Sequence, residues 1–332
     1  MIRMPSFQAE QVWLAPMSGS TDAAFRRQAV RYGAPAVVSE MVAGEALAAQ
    51  RPDVVRKTCR HEGAGLWIVQ LAGRRPEDMR LGAELLVQAG VDVIDINMGC
   101  PSRQVTGGNS GSALMREPEL ALQIIDATLD GAGDTPVTLK MRLGWDHDLL
   151  NAPDIAQAAV ARGVQLLTVH GRTRCQFYKG QADWAAIADT VNAVPVPVIA
   201  NGDICSLETA LAAREQSGAF GVMIGRSAMG QPWLIGEIAA HFAGRPFVAP
   251  GLHEQADQLC EQIEDSLSLY GAHLGLRIVR KHIAAHIDKV DLPLDDTARR
   301  ALRAQLCQID DAKPLLSAIQ ALYAGANLKV AA

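Results

Sequence analysis

The sequence predicts an α/β fold, a closed (β/α)8 barrel followed by a C-terminal helical bundle, and three observations favour it. Eight short apolar segments, each typical of a buried strand, alternate with alanine-rich segments of helical spacing up to about residue 242. Each apolar segment ends in a polar or conformationally special residue, as strands do at the functional end of a barrel. After residue 252 the strand pattern stops, and four helical segments follow.

The predicted strands and helices alternate regularly. The strands lie at residues 12–15, 36–39, 66–71, 91–96, 137–141, 165–169, 196–200 and 221–224. Helices between them include 76–89, 118–129, 154–161 and 207–215. This alternation predicts parallel strands, and eight such units form a TIM barrel. An open doubly wound sheet would usually carry GxGxxG after its first strand, but the turn here reads APMSGSTD.

Two prolines and two glycines at residues 244–251 predict a break between two domains. We therefore predict a barrel domain at 1–243, a linker at 244–252 and a helical domain at 253–332. The four helices of that domain should cover 253–270, 274–288, 295–308 and 313–324. The second of them has a basic face that would suit a phosphate backbone or simply be solvated, formed by His273, Arg277, Arg280 and Lys281.

Composition narrows the class of protein. The chain has 332 residues, of which 49% are hydrophobic and 20% charged, which predicts a globular protein with a sizeable core. A net charge of -5 argues against a protein that coats nucleic acid, but this net charge does not exclude a local basic face. Six cysteines without CxxC spacing predict a reducing compartment and no zinc ribbon. Without a signal-like or membrane-spanning segment, we expect a cytoplasmic protein with no membrane association and no metal.

Cys100 is the first candidate for chemistry, because it lies on a Gly99–Pro101 turn directly after a predicted inner strand. A thiol there would face the end of the barrel where reactive residues lie, although a free cysteine can equally be inert core. Glycine and arginine in the segments 201–203 and 225–226 predict a phosphate site, because barrels often bind a cofactor phosphate after these strands. The residues of that site are Asn201, Gly202, Asp203, Gly225 and Arg226.

The remaining strand ends leave several interpretations open. Lys140 should face an electron-rich partner such as a flavin, or form a Schiff base as in an aldolase. Gln70 could match a flavin edge or make an ordinary hydrogen bond. His170 could bind phosphate, hold a flavin, relay protons or be structural. Arg172 and Arg174, with the aromatic residues that follow, suit a surface loop that binds single-stranded RNA, or an ordinary solvated loop.

The motifs APMSGSTD, SEMV, VQLAG, DINMGCPS, LKMR, TVHGRTR, IANGD and MIGR occur in this order. With them, the chain resembles the tRNA-dihydrouridine synthases from about residue 12 to 320, and in particular their bacterial B-type branch. The GLRIVRKH segment is similar to the helical domain of that family. The resemblance implies an FMN-bearing barrel that reduces uridines of the tRNA D-loop with NADPH. The sequence shows no nicotinamide-binding motif, so NADH stays open as an alternative to NADPH.

The resemblance also implies roles for individual residues. Cys100 would protonate carbon 5 of the uracil after flavin hydride transfer to carbon 6, while Asn97 and Arg142 orient the base. From their charge and placement in the sequence, and not from the resemblance, we predict that Arg172, Arg277, Arg280 and Lys281 bind RNA. The flavin would be held by Pro16, Met17, Ser18, Gln70, Lys140, His170, Asn201, Gly202, Asp203, Gly225 and Arg226. The role of Glu40 stays open.

One loop departs from the family pattern, and three alternative functions stay open. Residues 102–111 lack the lysine-rich stretch of related bacterial sequences, keep Arg103 and gain glycine, which predicts a mobile loop that closes over substrate. The first alternative is a flavin enzyme that acts on free pyrimidines. The others are an RNA-binding module without catalysis and an aldolase that uses Lys140. We expect a monomer.

Overall fold

The structure, a computed structural model, describes residue 7 and residues 10–324. The outer ends of the two predicted domains, at 1–6, 8–9 and 325–332, lie outside the described residues. Within 10–324, no helix combines the length and the apolar character that crossing a bilayer requires.

Eight parallel strands close a barrel, and a ninth short strand pairs with the carboxyl end of one of them. The strands are β1 Val12–Leu14, β2 Ala36–Val38, β3 Val42–Ala43, β4 Leu66–Ala72, β5 Val93–Met98, β6 Val137–Arg142, β7 Leu166–His170, β8 Val198–Asn201 and β9 Gly221–Ile224. β1 pairs with both β2 and β9, and β2 also pairs with β4, so the sheet closes on itself. β3 pairs only with β4. The predicted barrel is therefore confirmed.

The register of the strands aligns polar residues at one end of the barrel. Asn97 pairs with Lys140, Arg142 with His170, and His170 with Asn201. Because parallel strands end at the same edge, these side chains belong to a single surface. The barrel interior behind them is apolar and is filled by side chains that include Trp13, Ile68, Val93, Leu166, Ile199 and Met223.

Helices lie between the strands in chain order, and the longer ones cover the outer faces of the strands. They are α1 Ala23–Arg31, α2 Gly44–Ala48, α3 Pro52–Val55, α4 Pro76–Ala89, α5 Arg103–Thr106, α6 Pro118–Ala132, α7 Ala152–Arg162, α8 Ala188–Ala193, α9 Leu207–Ser217 and α10 Trp233–Phe242. α4 has the predicted bounds because Pro76 lies in its first turn and Gly90, with a φ of 80°, ends it. α1 begins after Asp22, whose side chain accepts a hydrogen bond from the Phe25 amide at 3.0 Å.

Four further helices form the C-terminal bundle: α11 Leu252–Tyr270, α12 Ala272–Lys289, α13 Asp296–Gln308 and α14 Ala312–Tyr323. They bury an apolar core of their own, separate from the barrel core. The bundle also contacts the barrel, because Arg27 of α1 donates to Asp265 of α11 at 2.7 Å. Residues 243–251 contain neither helix nor strand. The division into a barrel domain, a linker and a helical domain at the predicted boundaries stays a prediction.

The structure also contains elements that the sequence prediction did not specify: α1, α10 and the short elements β3, α2, α3, α5 and α8. β5 and β8 begin later than predicted and continue through Asn97 and Asn201, respectively. These two asparagines therefore lie within strands, and the backbone of each is held by the sheet.

Candidate functional site

A cavity of about 770 Å³ opens at the carboxyl ends of the strands. Its lining includes every residue that we predicted to bind the flavin, together with Asn97, Cys100 and Arg142. Arg172 and the three basic residues predicted on α12 do not line it. Phe177 and Tyr178, which follow β7, complete the wall. Residues far apart in the chain thus form one site, and its volume lies in the range typical of small-molecule and cofactor sites.

The backbone of Cys100 is held from both sides. The Asn97 side-chain oxygen accepts hydrogen bonds from the amides of Gly99 at 3.2 Å and Cys100 at 3.0 Å. The Cys100 carbonyl accepts from the hydroxyl of Ser112 at 2.7 Å. Cys100 is partly buried and free of any disulfide, and it lines the cavity. The thiol is therefore placed at the cavity by a fixed turn.

Asp95 is a residue of the site that sequence reasoning missed. Its carboxylate accepts from Gln70 Nε2 and from Thr138 Oγ1, both at 2.6 Å. Asn97 Nδ2 in turn donates to Gln70 Oε1 at 2.7 Å. Burial raises the pKa of Asp95, although these two donors and Lys140 oppose that shift. The signal in the sequence that could have identified Asp95 is a single carboxylate inside an apolar strand. In the structure this carboxylate orients Gln70 and, through it, Asn97.

Lys140 and His170 share one acceptor, the side-chain oxygen of Asn201. Lys140 Nζ lies 3.0 Å from it and His170 Nδ1 lies 2.9 Å from it, while Asn201 Nδ2 donates to the Met223 carbonyl at 2.8 Å. Burial and the nearby Arg142 lower the pKa of Lys140 to about 8. Burial, Lys140 and Arg142 also lower the pKa of His170 well below its usual value, so its ring is neutral at pH 7.

The segments after β8 and β9 form the predicted phosphate end of the cavity. Gly202 has a φ of 118° and Asp203 a φ of 53°, so the chain turns sharply there. Among the described residues, the amides of Gly225 and Arg226 have no protein acceptor. The exposed guanidinium of Arg226 lies 5.0 Å from the centre of the Tyr178 ring. Open amides beside an arginine make this end suitable for an anion.

We expected Arg172 to lie on a surface loop, but it is only 2% exposed. Its guanidinium donates to the Asp203 carboxylate at 2.9 Å and to the carbonyls of Lys179 and Gly180 at 3.1 and 2.6 Å. The planar fork satisfies a carboxylate and two carbonyls together, which a solvated loop would not require. Arg172 therefore holds the loop after β7 and has no surface to offer RNA in this structure.

Arg142 is also buried, and it ties two loops together. Its Nε donates to the Gly99 carbonyl at 2.8 Å, and its Nη1 donates to the carbonyls of Thr173 and Phe177 at 2.8 and 2.9 Å. It thus connects the cysteine turn to the loop after β7. Among the described residues its Nη2 has no acceptor, so it retains donors for a ligand.

The loop at 102–111 is partly ordered by contacts that its composition did not predict. It contains the helical turn α5, and Arg174 Nη2 donates to Thr106 Oγ1 at 3.3 Å. The same guanidinium lies 4.5 Å from the centre of the Trp145 ring and 4.7 Å from that of Phe177. Arg174 therefore connects the cysteine loop to the aromatic wall of the cavity.

The basic residues of α12 differ in their surroundings. Arg277 is exposed and has no protein partner among the described residues. Arg280 is half-buried and forms an ion pair with Asp310. Lys281 donates to the carbonyl of Gly19, in the loop between β1 and α1. Helical spacing placed them on one face, but in the structure Arg277 is exposed, while Arg280 and Lys281 are bound to protein partners.

A parallel barrel with a polar cavity at the carboxyl ends of its strands defines the class, an α/β-barrel enzyme. Residues 13–323 match the family model described as dihydrouridine synthase. The chain therefore belongs to the dihydrouridine synthase family, which confirms the resemblance predicted from the motifs.

Individual relatives agree along nearly the full length. The "Probable tRNA-dihydrouridine synthase" of Rhodobacter capsulatus is 48% identical over 315 residues, which are 94% of each chain. "tRNA-dihydrouridine synthase B" of Shewanella oneidensis is 39% identical over 93% of this chain and 94% of its own.

Solved structures share the fold at low identity. A 2-naphthoyl-CoA reductase complex superposes with a TM-score of 0.53 at 12% identity, over 71% of this chain and 50% of the other. Histamine dehydrogenase from Rhizobium sp. 4-9 gives 0.52 at 13% identity, over 76% and 48%. This chain thus covers about half of those larger chains, and the likeness is one of fold.

Proposed function

We propose that this protein reduces uridines of tRNA to 5,6-dihydrouridine with bound FMN, and that NADPH, or NADH in its place, is the reductant. The observation that carries the proposal is the meeting of Cys100, Lys140 and the open amides of Gly225 and Arg226 in one cavity. A proton donor, a buried cation and an anion site are the groups that flavin-dependent reduction of a base requires.

The residues present fit FMN. Lys140 is a partly buried ammonium whose protein acceptor, Asn201, is neutral, and burial and the nearby Arg142 lower its pKa to about 8. An anionic or electron-rich ring in the cavity would compensate its charge. The Gly225 and Arg226 amides, with the Arg226 guanidinium, would take the phosphate. Pro16, Met17 and Ser18 line the same cavity and would pack against the ring.

Hydrogen-bonding capacity supports the remaining assignments. Gln70 and Asn97 each use part of their amide groups on protein partners, and each retains one N–H. Gln70 would donate it to the pyrimidine edge of the cofactor, and Asn97 would donate it to a carbonyl of the uracil. Arg142 Nη2 would donate to the base as well. The neutral His170 would act through hydrogen bonding at the phosphate end, not as a charge.

The reaction divides between cofactor and protein. A bound FMN would supply the hydride for carbon 6 of the uracil. Cys100 would deliver its thiol proton to carbon 5, because a positioned acid lowers the barrier to protonation there. The turn held by Asn97 and Ser112 keeps that thiol at the cavity. The side chain thus acts as a general acid.

The target base must leave its stack to enter the cavity, and this costs least in a tRNA loop. On the bundle, Arg277 offers an exposed cation, and Arg280 would exchange its ion pair with Asp310 for an RNA phosphate. The barrel would thus be the catalytic domain and the bundle the tRNA-binding domain. We propose that the protein works as a monomer in the cytoplasm.

The test compares substrates. Purified protein with FMN and NADPH is incubated with an unmodified tRNA transcript or with free uridine, and dihydrouridine is measured by mass spectrometry. We expect product in the tRNA and none from the nucleoside. Efficient reduction of free uridine would favour a small-substrate flavin enzyme. Protein that stays colourless after addition of FMN would contradict the cofactor assignment.

A further inference from the structure

The loop at residues 16–22 forms one wall of the cavity and is closed by its own hydrogen bonds. Its cavity-lining members are Pro16, Met17, Ser18 and Ser20. The Met17 amide donates to Thr21 Oγ1 at 2.9 Å, and the Ser20 amide donates to the Met17 carbonyl at 2.9 Å. These bonds define the shape of the turn, but they do not determine where the turn lies relative to the barrel.

Consecutive residues of α12 contact consecutive residues of this loop. Lys281 Nζ donates to the carbonyl of Gly19, and the backbone of Ser20 lies beside the buried ring of His282. Phe25, in the first turn of α1, packs on the same ring with a centroid separation of 4.8 Å. The C-terminal bundle therefore contacts the cavity wall directly.

Gly19 is suited to this contact by its backbone and by its lack of a side chain. Its φ is 74°, in the left-handed region that residues with a Cβ rarely adopt. A Cβ at this position would lie 2.9 Å from Lys281 Nζ. The loop thus leaves room for the ammonium group at the point where the two domains meet.

A second interaction between Lys281 and the barrel is electrostatic and involves the buried carboxyl group of Glu40. Glu40, two residues after the end of β2, is 3% exposed, and its Oε1 has no hydrogen-bond partner among the described residues. Burial raises the pKa of Glu40, while the charges of Lys57 and Lys281 and the nearby amide of Gly19 oppose the shift. Lys281 thus helps to compensate a buried carboxylate, and Gly19 lies between the two charges.

We propose that Lys281 is a positioning residue that holds the loop at 16–22 in place, so that the bundle helps to build the cofactor pocket. This differs from the RNA contact predicted from helical spacing, and it rests on the proposed FMN function. Because its ammonium already donates to the Gly19 carbonyl, we expect Lys281 to make no phosphate contact of its own with tRNA. Its loss should instead let the wall shift and weaken FMN binding by roughly tenfold, the scale of one charge-assisted hydrogen bond.

The test uses Lys281→Met, the conservative Lys281→Arg and a matched control, Arg277→Met, which removes an exposed cation from the same helix. For each, FMN affinity is measured by titrating the flavin-free protein and following flavin fluorescence. The salt dependence of tRNA binding and the melting temperature of the flavin-free protein are measured in parallel. We expect Lys281→Met to weaken FMN binding with an unchanged salt slope, and Lys281→Arg to restore most of the affinity. Arg277→Met should lower the salt slope by about 1 and leave FMN binding unchanged.

The outcomes separate this inference from the function on which it rests. FMN affinity of Lys281→Met within twofold of wild type would overturn the positioning role, whatever happens to the melting temperature. A lowered salt slope with normal FMN binding would return Lys281 to the RNA surface. Wild-type protein that binds no FMN would contradict the proposed function itself, and this inference with it.

Discussion

Lys140→Met should stabilise the flavin-free protein and weaken FMN binding. In the folded protein, burial and Arg142 lower the Lys140 pKa from 10.5 to about 8. That difference corresponds to at most about 3 kcal/mol of unfavourable free energy for the charged form at pH 7. Methionine fills a similar volume without a charge, so we expect the variant to gain about 1–3 kcal/mol of stability at pH 7.

The stability difference between wild type and Lys140→Met should depend on pH in a defined direction. Between pH 8 and 10.5 the unfolded chain binds more protons at Lys140 than the folded chain, so wild-type stability should rise with pH over this interval. The variant should lack that rise, and the two proteins should converge towards pH 10.5. FMN affinity should fall at least tenfold in the variant, because the cofactor loses its buried cation.

Urea unfolding of flavin-free wild type and variant at pH 7, 8, 9 and 10 measures the first effect, and FMN titration measures the second. The same substitution at Lys313, an exposed lysine of α14, is the control. A variant less stable than wild type at pH 7, with no convergence at higher pH, would refute the reasoning. Unchanged FMN affinity would remove Lys140 from the cofactor site.

Three further predictions concern the acid, the RNA surface and the domain interface. Cys100→Ala should keep FMN bound and reducible by NADPH while dihydrouridine formation falls roughly 100-fold or more; product formation at the wild-type rate would exclude the thiol as the acid. Arg277→Ala combined with Arg280→Ala should weaken tRNA binding and lower the salt slope by about 2 in a filter-binding assay. Arg162→Ala, at the end of α7 remote from the cavity, is the control, and an equal effect there would argue against a specific surface. Burial lowers the pKa of His282 and of His286 to about 3. Below pH 6.5 these two histidines are protonated in the unfolded chain but stay neutral in the folded protein. Each histidine should therefore lower the free energy of unfolding by up to about 2 kcal/mol between pH 7 and pH 5. The variant His282→Gln with His286→Gln should lose less in urea unfolding, and an equal loss would contradict this.

Much of the cavity could be predicted because strand ends are local features of a sequence. Cys100, Lys140 and His170 each follow or end an apolar run, and parallel strands bring such positions to the same edge. Arg172 shows where this reasoning stops. It follows a strand end too, but its partner Asp203 lies on another loop, and only their meeting decides that the arginine is buried.

The sequence by itself determined the barrel, the helical bundle, the family and the set of residues that end the strands, because hydrophobic period and motif order are properties of neighbouring residues. Tertiary structure alone decided that Asp95 orients Gln70 and Asn97, and that Lys140 and His170 share Asn201. It also turned Lys281 towards Gly19, far away in the chain. Hydrogen bonds and buried charges are satisfied by whichever groups the fold brings within about 3 Å, and separation along the chain carries no information about that distance.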